Sequence, residues 1–170
     1  MRRTSVVTAI LVLVLAVSGN WYTAEAQGMS ELAGAWIVTS WENADGEVNS
    51  EPQRGLFVFT ASGNYSIMYV RGDEPRAEWT EEAPTDAERL AAFNSIVANS
   101  GRYAVEGNEI SYEAYMALNP NYMAGFNAQS RANAETMTFS IADGVLTLHM
   151  TRVNGDAVTA TLRRPGQPQD

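Results

Sequence analysis

The chain has 170 residues, 45% of them hydrophobic, with no Cys, a single His and a formal net charge of −9. All eleven basic residues are Arg, which excludes lysine Schiff bases and a phosphate-cradling P-loop lysine. The absence of Cys removes disulfide frameworks and thiolate chemistry, one His is too few for a usual zinc site, and an acidic surface argues against nucleic acid as a partner.

In chain order, Met1-Arg2-Arg3 is a short basic start, the run Val6 to Val17 is apolar, and Ala24-Glu25-Ala26 is a small-x-small pattern. Together these read as a secretory signal over residues 1–26, because the apolar run is shorter than the ~20 residues that span a bilayer. The expectation is an exported protein, periplasmic or extracellular, with no stable membrane insertion after the signal is removed. Residues 27–31 read as a linker, 32–164 as one domain and 165–170 as a disordered tail. A domain of that size buries roughly two thirds of its unfolded surface and needs no disulfide or metal staple.

Turn dipeptides then punctuate the chain. Asp45-Gly46, Gly63-Asn64, Gly107-Asn108, Asp143-Gly144 and Asn154-Gly155 each sit between runs rich in aromatic and β-branched residues. Such pairs tolerate the positive φ of tight hairpins. The runs are 35–41, 55–60, 65–70, 102–105, 109–116, 136–141, 145–151 and 157–163, with 126–134 as a further candidate. Simple alternation places Trp36, Val38 and Ser40 on one face of the first run, and Ile37, Thr39 and Trp41 on the other. The predicted fold is all-β, an antiparallel up-and-down barrel of eight or nine strands.

One segment has another period. Thr85 as N-cap and Glu88 three residues later form a capping-box pattern, and Leu90, Phe93 and Val97 follow at helical spacing to a C-cap at Gly101. This predicts one helix between the third and fourth strands, with its apolar stripe buried.

No catalytic set emerges. His149 lies mid-strand among alternating residues, and Asn43 to Glu47 lacks the distal Glu of a calcium loop. Neither a metal site nor a cofactor is expected. Near the start of the domain, Gly34 lets the chain bend into the first strand and Trp36 is placed to seal a barrel floor.

From Leu32 to Arg164 the chain resembles the bacterial and fungal lipocalin-like domain family. The likeness is carried by Gly34-Ala35-Trp36-Ile37-Val38-Thr39-Ser40-Trp41-Glu42, Gly55-Leu56-Phe57-Val58-Phe59-Thr60, Gly101-Arg102-Tyr103-Ala104-Val105-Glu106-Gly107 and Asn119-Pro120-Asn121-Tyr122-Met123-Ala124-Gly125. It implies a calycin-like barrel in which Arg163 or Arg164 packs over Trp36. Family members often carry His where Ser111 and Tyr112 stand here, so a role resting on that imidazole does not transfer.

Small barrels either fill their interior or leave room for one ligand. The residues that suit a pocket lining are Trp41, Phe57, Tyr69, Tyr103, Tyr112, Tyr115, Tyr122 and Arg131. The leading expectation is a binding protein for a small hydrophobic or aromatic molecule. Two alternatives stand beside it. One is an isomerase-like or cyclase-like enzyme using a buried carboxylate, Glu113 or Glu42. The other is a structural module whose barrel is filled.

Overall fold

A computed structural model describes residues 27–72, 74–80, 83–123, 136–151 and 156–166. The segment 1–26 read as a signal, the candidate strand 126–134 and the turn at Asn154-Gly155 lie outside the described residues.

The described chain opens in helix α1 (residues 27–32), followed by β1 (Gly34–Glu42), β2 (Val48–Asn49), β3 (Gly55–Phe59) and β4 (Asn64–Val70). Helix α2 (Asp86–Asn94) leads into β5 (Ile96–Glu106) and β6 (Glu109–Ala117), and a 3₁₀ turn, Pro120–Tyr122, follows. The chain then runs through β7 (Thr136–Ala142), β8 (Val145–Thr151) and β9 (Ala157–Arg163). Each strand from β3 to β9 pairs antiparallel with the next, β1 pairs with β3, and β9 returns to pair with β1. The result is a closed, antiparallel eight-stranded barrel with β2 as an extra strand. One edge of β1 is taken by β9; the other is shared, with Gly34 to Ile37 on β3 and Trp41 and Glu42 on β2.

Alternation decides which side chains enter the tube. Trp36, Val38, Phe57, Phe59, Tyr65, Ile67, Tyr103 and Val105 are buried on the inner face of β1 and β3 to β5. Ile110, Ala114, Met137, Phe139, Leu146, Leu148, Ala160 and Leu162 complete that face on β6 to β9. No polar or charged residue is buried among the described residues. The two ends differ. At one, β3–β4, β5–β6 and β7–β8 are joined by tight turns, with Gly63, Gly107 and the pair Asp143-Gly144 at positive φ. At the other lie the connection 43–54 and the described parts of the longer ones that follow β4 and β6.

Helix α1 closes the turn end. Leu32 is fully buried, and Gly28 sits so close to Val105 that a Cβ there would come within 2.7 Å of its Cγ1. The Leu32 carbonyl accepts a hydrogen bond from Trp36 Nε1 at 2.7 Å. Arg164, not Arg163, stacks its guanidinium over the Trp36 ring, 4.0 Å from the centroid, and donates to the Ala33 carbonyl at 2.7 Å. Arg163 ends β9 in register with Ile37 and Val145, a half-buried residue on the outer face. Gly34 makes the close approach of Arg164 possible: its φ is +133°, and a Cβ would lie 1.7 Å from Arg164 Nη1.

The helix differs from its sequence-based prediction in three ways. It lies after the fourth strand, because the two-residue β2 intervenes in the connection from β1 to β3. It ends at Asn94, with Ser95 as C-cap, because Ile96 to Arg102 pair residue for residue with β4 and so continue as strand. Gly101 is therefore mid-strand, where a Cβ would come 1.9 Å from the Glu113 carbonyl oxygen; close strand approach, not capping, calls for glycine there. Third, the stripe is not buried: Leu90 and Phe93 are 61% and 51% exposed.

The N-terminal box of α2 does form. Glu88 accepts from the Thr85 backbone and hydroxyl, and also from the Thr80 amide and hydroxyl, which ties the preceding loop to the helix. The hydrogen bonds from Thr80 and then Thr85 hold its carboxyl down from the usual 4.5 to about 2.

Two outcomes follow. Arg164→Ala removes the cation–π stack and leaves the Ala33 carbonyl without its donor; urea denaturation is expected to show a loss of about 2 kcal/mol, and an unchanged midpoint would contradict the floor described here. For Glu88 the folded pKa is depressed, so its contribution to the loop–helix tie is present above pH 4.5 and lost as the pH falls toward 2. Protection of the Thr80 amide, its exchange by NMR relative to the intrinsic rate at each pH, should fall over that interval and be lost at every pH in Glu88→Ala.

Candidate functional site

Regular alternation would turn Trp41 away from Trp36, but β1 carries an extra residue. Val38 is in register with Leu162 and Ser40 with Thr161, so Thr39 is a bulge whose hydroxyl donates to the Thr161 carbonyl at 3.1 Å. Beyond the bulge the parity switches, and Trp41 joins the inner face opposite Ala160. This corrects the face assignment made from alternation alone. Trp41 there meets Tyr69, whose ring centroid is 5.0 Å away, and both rings approach Phe57 beneath them at 6.4 and 6.1 Å.

Trp41 and Tyr69 face a cavity of about 1010 Å³ at the loop end of the barrel. Tyr122, from the 3₁₀ turn, and Val158, from β9, add apolar wall. The rim is contributed by the β1–β3 connection and by the start of the β4–β5 loop. It carries Glu42, Glu47 and Glu51, against Arg71 as the only basic residue among the described lining. Glu47 is held in place by the hairpin: Asn43 Nδ2 donates to its carboxylate at 3.2 Å, and its own amide donates to Asn43 Oδ1 at 3.0 Å. A smaller cavity of about 250 Å³ lies between the end of α2, the start of β5 and the 3₁₀ turn, with Phe93 and Tyr122 in its wall.

The residues singled out from the sequence separate by depth. Trp41, Tyr69 and Tyr122 line the main cavity. Phe57 and Tyr103 belong to the packed interior, at 0% and 5% exposure. The Tyr103 hydroxyl donates to the Thr60 carbonyl at 2.8 Å, its ring stands edge-on to Phe59, and its side chain serves the floor. Tyr112 is half-buried, edge-on to Tyr65 with centroids 5.6 Å apart. Tyr115 is 49% exposed: it follows inward-facing Ala114 and so lies on the outer face, at a second bulge between Ala114 opposite Gly101 and Met116 opposite Ser100. Arg131 lies outside the described residues. Sequence reasoning missed Glu47, Val48, Glu51, Arg71 and Val158; the signal available was the long connection from Trp41 to Gly55, which a tight hairpin does not need.

Neither of the two carboxylates considered for an enzyme, Glu42 and Glu113, is buried. Glu42 is exposed at the rim. Glu113 faces outward in register with Arg102 and pairs with it, Nη2 to Oε2, at 2.5 Å. His149 is exposed on the outer face, with Nδ1 3.1 Å from the Thr159 hydroxyl. Among the described residues two buried polar atoms lack a hydrogen-bond partner, Tyr65 Oη and Asn99 Oδ1, both on the β4–β5 wall. Burial pushes the Tyr65 phenol well above its ordinary pKa, so it stays protonated. Among the described residues no group of three or more His, Asp or Glu is placed to hold a metal ion, and no helix is long and apolar enough to cross a membrane.

The topology is that of a closed, up-and-down antiparallel β-barrel of eight strands with one added strand. No family model and no curated protein sequence matches the chain. Among solved structures it is similar to a lipocalin-like protein from Bacteroides uniformis, at 16% identity over 78% of this chain and 97% of that one, with a TM-score of 0.44. It is also similar to an uncharacterized protein from Bacteroides eggerthii, at 13% identity over 78% and 98%, with a TM-score of 0.42. A redesigned β-barrel shares 16% identity over 81% and 94%, with a TM-score of 0.38.

Proposed function

We propose that this protein binds a small molecule with an apolar or aromatic body in the mouth of its barrel, and that it works as a binder, not as a catalyst. The observation that carries this reading is the cavity of about 1010 Å³ over Trp41 and Tyr69. It is a half-open recess at the barrel mouth, above a packed interior, and it exceeds the ~300 Å³ at the small end of ligand pockets. Among the described residues no carboxylate or imidazole is buried, the setting in which a general acid or base is commonly tuned. Aromatic walls under a polar rim fit an occupant whose apolar part goes in first. Export is part of the proposal and rests on the pattern of residues 1–26.

Binding of the neutral fluorophore N-phenyl-1-naphthylamine, followed through quenching of Trp emission, is expected in the micromolar range. Trp41→Ala should weaken it about tenfold, the equivalent of one lost ring contact. Failure of this and other neutral apolar probes to bind would overturn the proposal. For export, protein recovered from the periplasm or medium of its host should begin at Gln27; an uncleaved chain in the cytoplasm would contradict it.

A further inference from the structure

We propose that the natural occupant of the mouth is an uncharged alcohol or phenol on an apolar body, whose hydroxyl is received inside the barrel by Tyr65 and Asn99; this rests on the reading of the mouth as a binding site. The observation behind it is a pair of polar atoms in an apolar interior. Tyr65 Oη and Asn99 Oδ1 are shut off from solvent and have no hydrogen-bond partner. Both side chains belong to the inner face. Tyr65 is 4% exposed and shares that face of β4 with Ile67, and Asn99 stands opposite Ile67 on β5. The Tyr65 ring is braced edge-on against Tyr112, centroids 5.6 Å apart, which fixes the place of its hydroxyl.

Buried polar groups almost always have partners, because leaving one unpaired costs more than a made hydrogen bond returns. A guest that pairs with these two atoms removes that penalty, and a hydrocarbon guest leaves it standing. The atoms also define what the guest must offer. Asn99 Oδ1 only accepts, so it calls for a donor. Burial keeps the Tyr65 phenol protonated, so it donates, and its oxygen also accepts. A single hydroxyl serves both, donating to the amide oxygen and accepting from the phenol. A carboxylate has no proton to give Asn99, and it would enter an interior in which no described residue supplies a buried cation.

Register joins the pair to the mouth. Val97 is opposite the cavity-lining Tyr69, and Asn99 is the next inner residue down β5. Two residues of strand cover about 7 Å. At that level β3 presents Phe57 and β4 presents Ile67, while β5 presents the shorter, polar Asn99. The leading end of a molecule seated against Trp41 and Tyr69 therefore meets Asn99 first and Tyr65 one inner position deeper.

Displacement of bound N-phenyl-1-naphthylamine by naphthalene, 2-methoxynaphthalene and 2-naphthol, at neutral pH, tests this. The bodies match, and only the naphthol donates. Apolar contact alone ranks the naphthol last, because it is the most readily hydrated. The inference expects it to bind about tenfold tighter than the methyl ether. That preference should be lost in Tyr65→Phe and in Asn99→Ala, while naphthalene binds both variants at least as tightly as the unaltered protein. Tyr103→Phe removes the floor hydroxyl that donates to the Thr60 carbonyl, and should keep the preference. Naphthol no tighter than the ether, the result if water alone serves the pair, would overturn the inference and leave the binding reading in place. So would a preference retained in both variants, or naphthalene weakened in them as much as naphthol. Failure of the fluorophore and all three compounds to bind would remove both.

Discussion

The pairing of β9 with β1 is the constraint on which the rest of this structure depends. It turns a meander into a tube, and in a tube every strand has an inner face that cannot be relieved by sliding or splaying. The inner positions of eight strands must then fill one confined volume with apolar side chains, as Trp36, Phe57, Phe59, Ile110, Leu146, Leu148 and Leu162 do at 2% exposure or less. The same pairing accommodates the Thr39 bulge. One extra residue, opposite a regular β9, carries Trp41 across to the inner face and so supplies the wall of the cavity.

The two ends of the tube are built for different tasks. At the turn end, short hairpins leave little backbone to wander, and α1, Trp36 and Arg164 interlock through a hydrogen bond, a cation stack and a glycine that leaves space for the guanidinium. That end is packed and satisfied. At the loop end, the connections are longer, the core thins above Phe57, and the β1–β3 connection curls back to make a rim. Rigidity at one end allows the other to present a preformed recess without the barrel losing its core.

Much of the fold was legible because hairpin chemistry is local. Gly63, Gly107 and Asp143-Gly144 announce turns through their tolerance of positive φ, and all three joints are where the sequence places them. What escaped was decided by neighbours. Phe93 and Val97 share helical spacing, yet pairing of Ile96 to Arg102 with β4 outweighs a helix whose exposed face buries nothing. The face of Trp41 depends on a one-residue bulge, and a bulge is a property of two strands in register, not of either sequence alone. For the site, aromatic residues were visible as a set, but their depth in the tube was not. Trp41, Tyr69 and Tyr122 reach the cavity, while Phe57 and Tyr103 look alike in sequence and are packed beneath it. The acidic rim was hidden in connections that read simply as polar.

The account predicts that a ligand touches one end of the barrel and not the other, and the indole N–H groups of Trp36 and Trp41 report on the two ends separately. A titration with a neutral apolar probe, followed in ¹H–¹⁵N spectra of the Trp indoles, tests this most directly. The Trp41 signal should shift progressively to saturation while that of Trp36, tied to the Leu32 carbonyl, stays in place. Movement of Trp36 with Trp41, or a stationary Trp41 in the presence of bound probe, would contradict it.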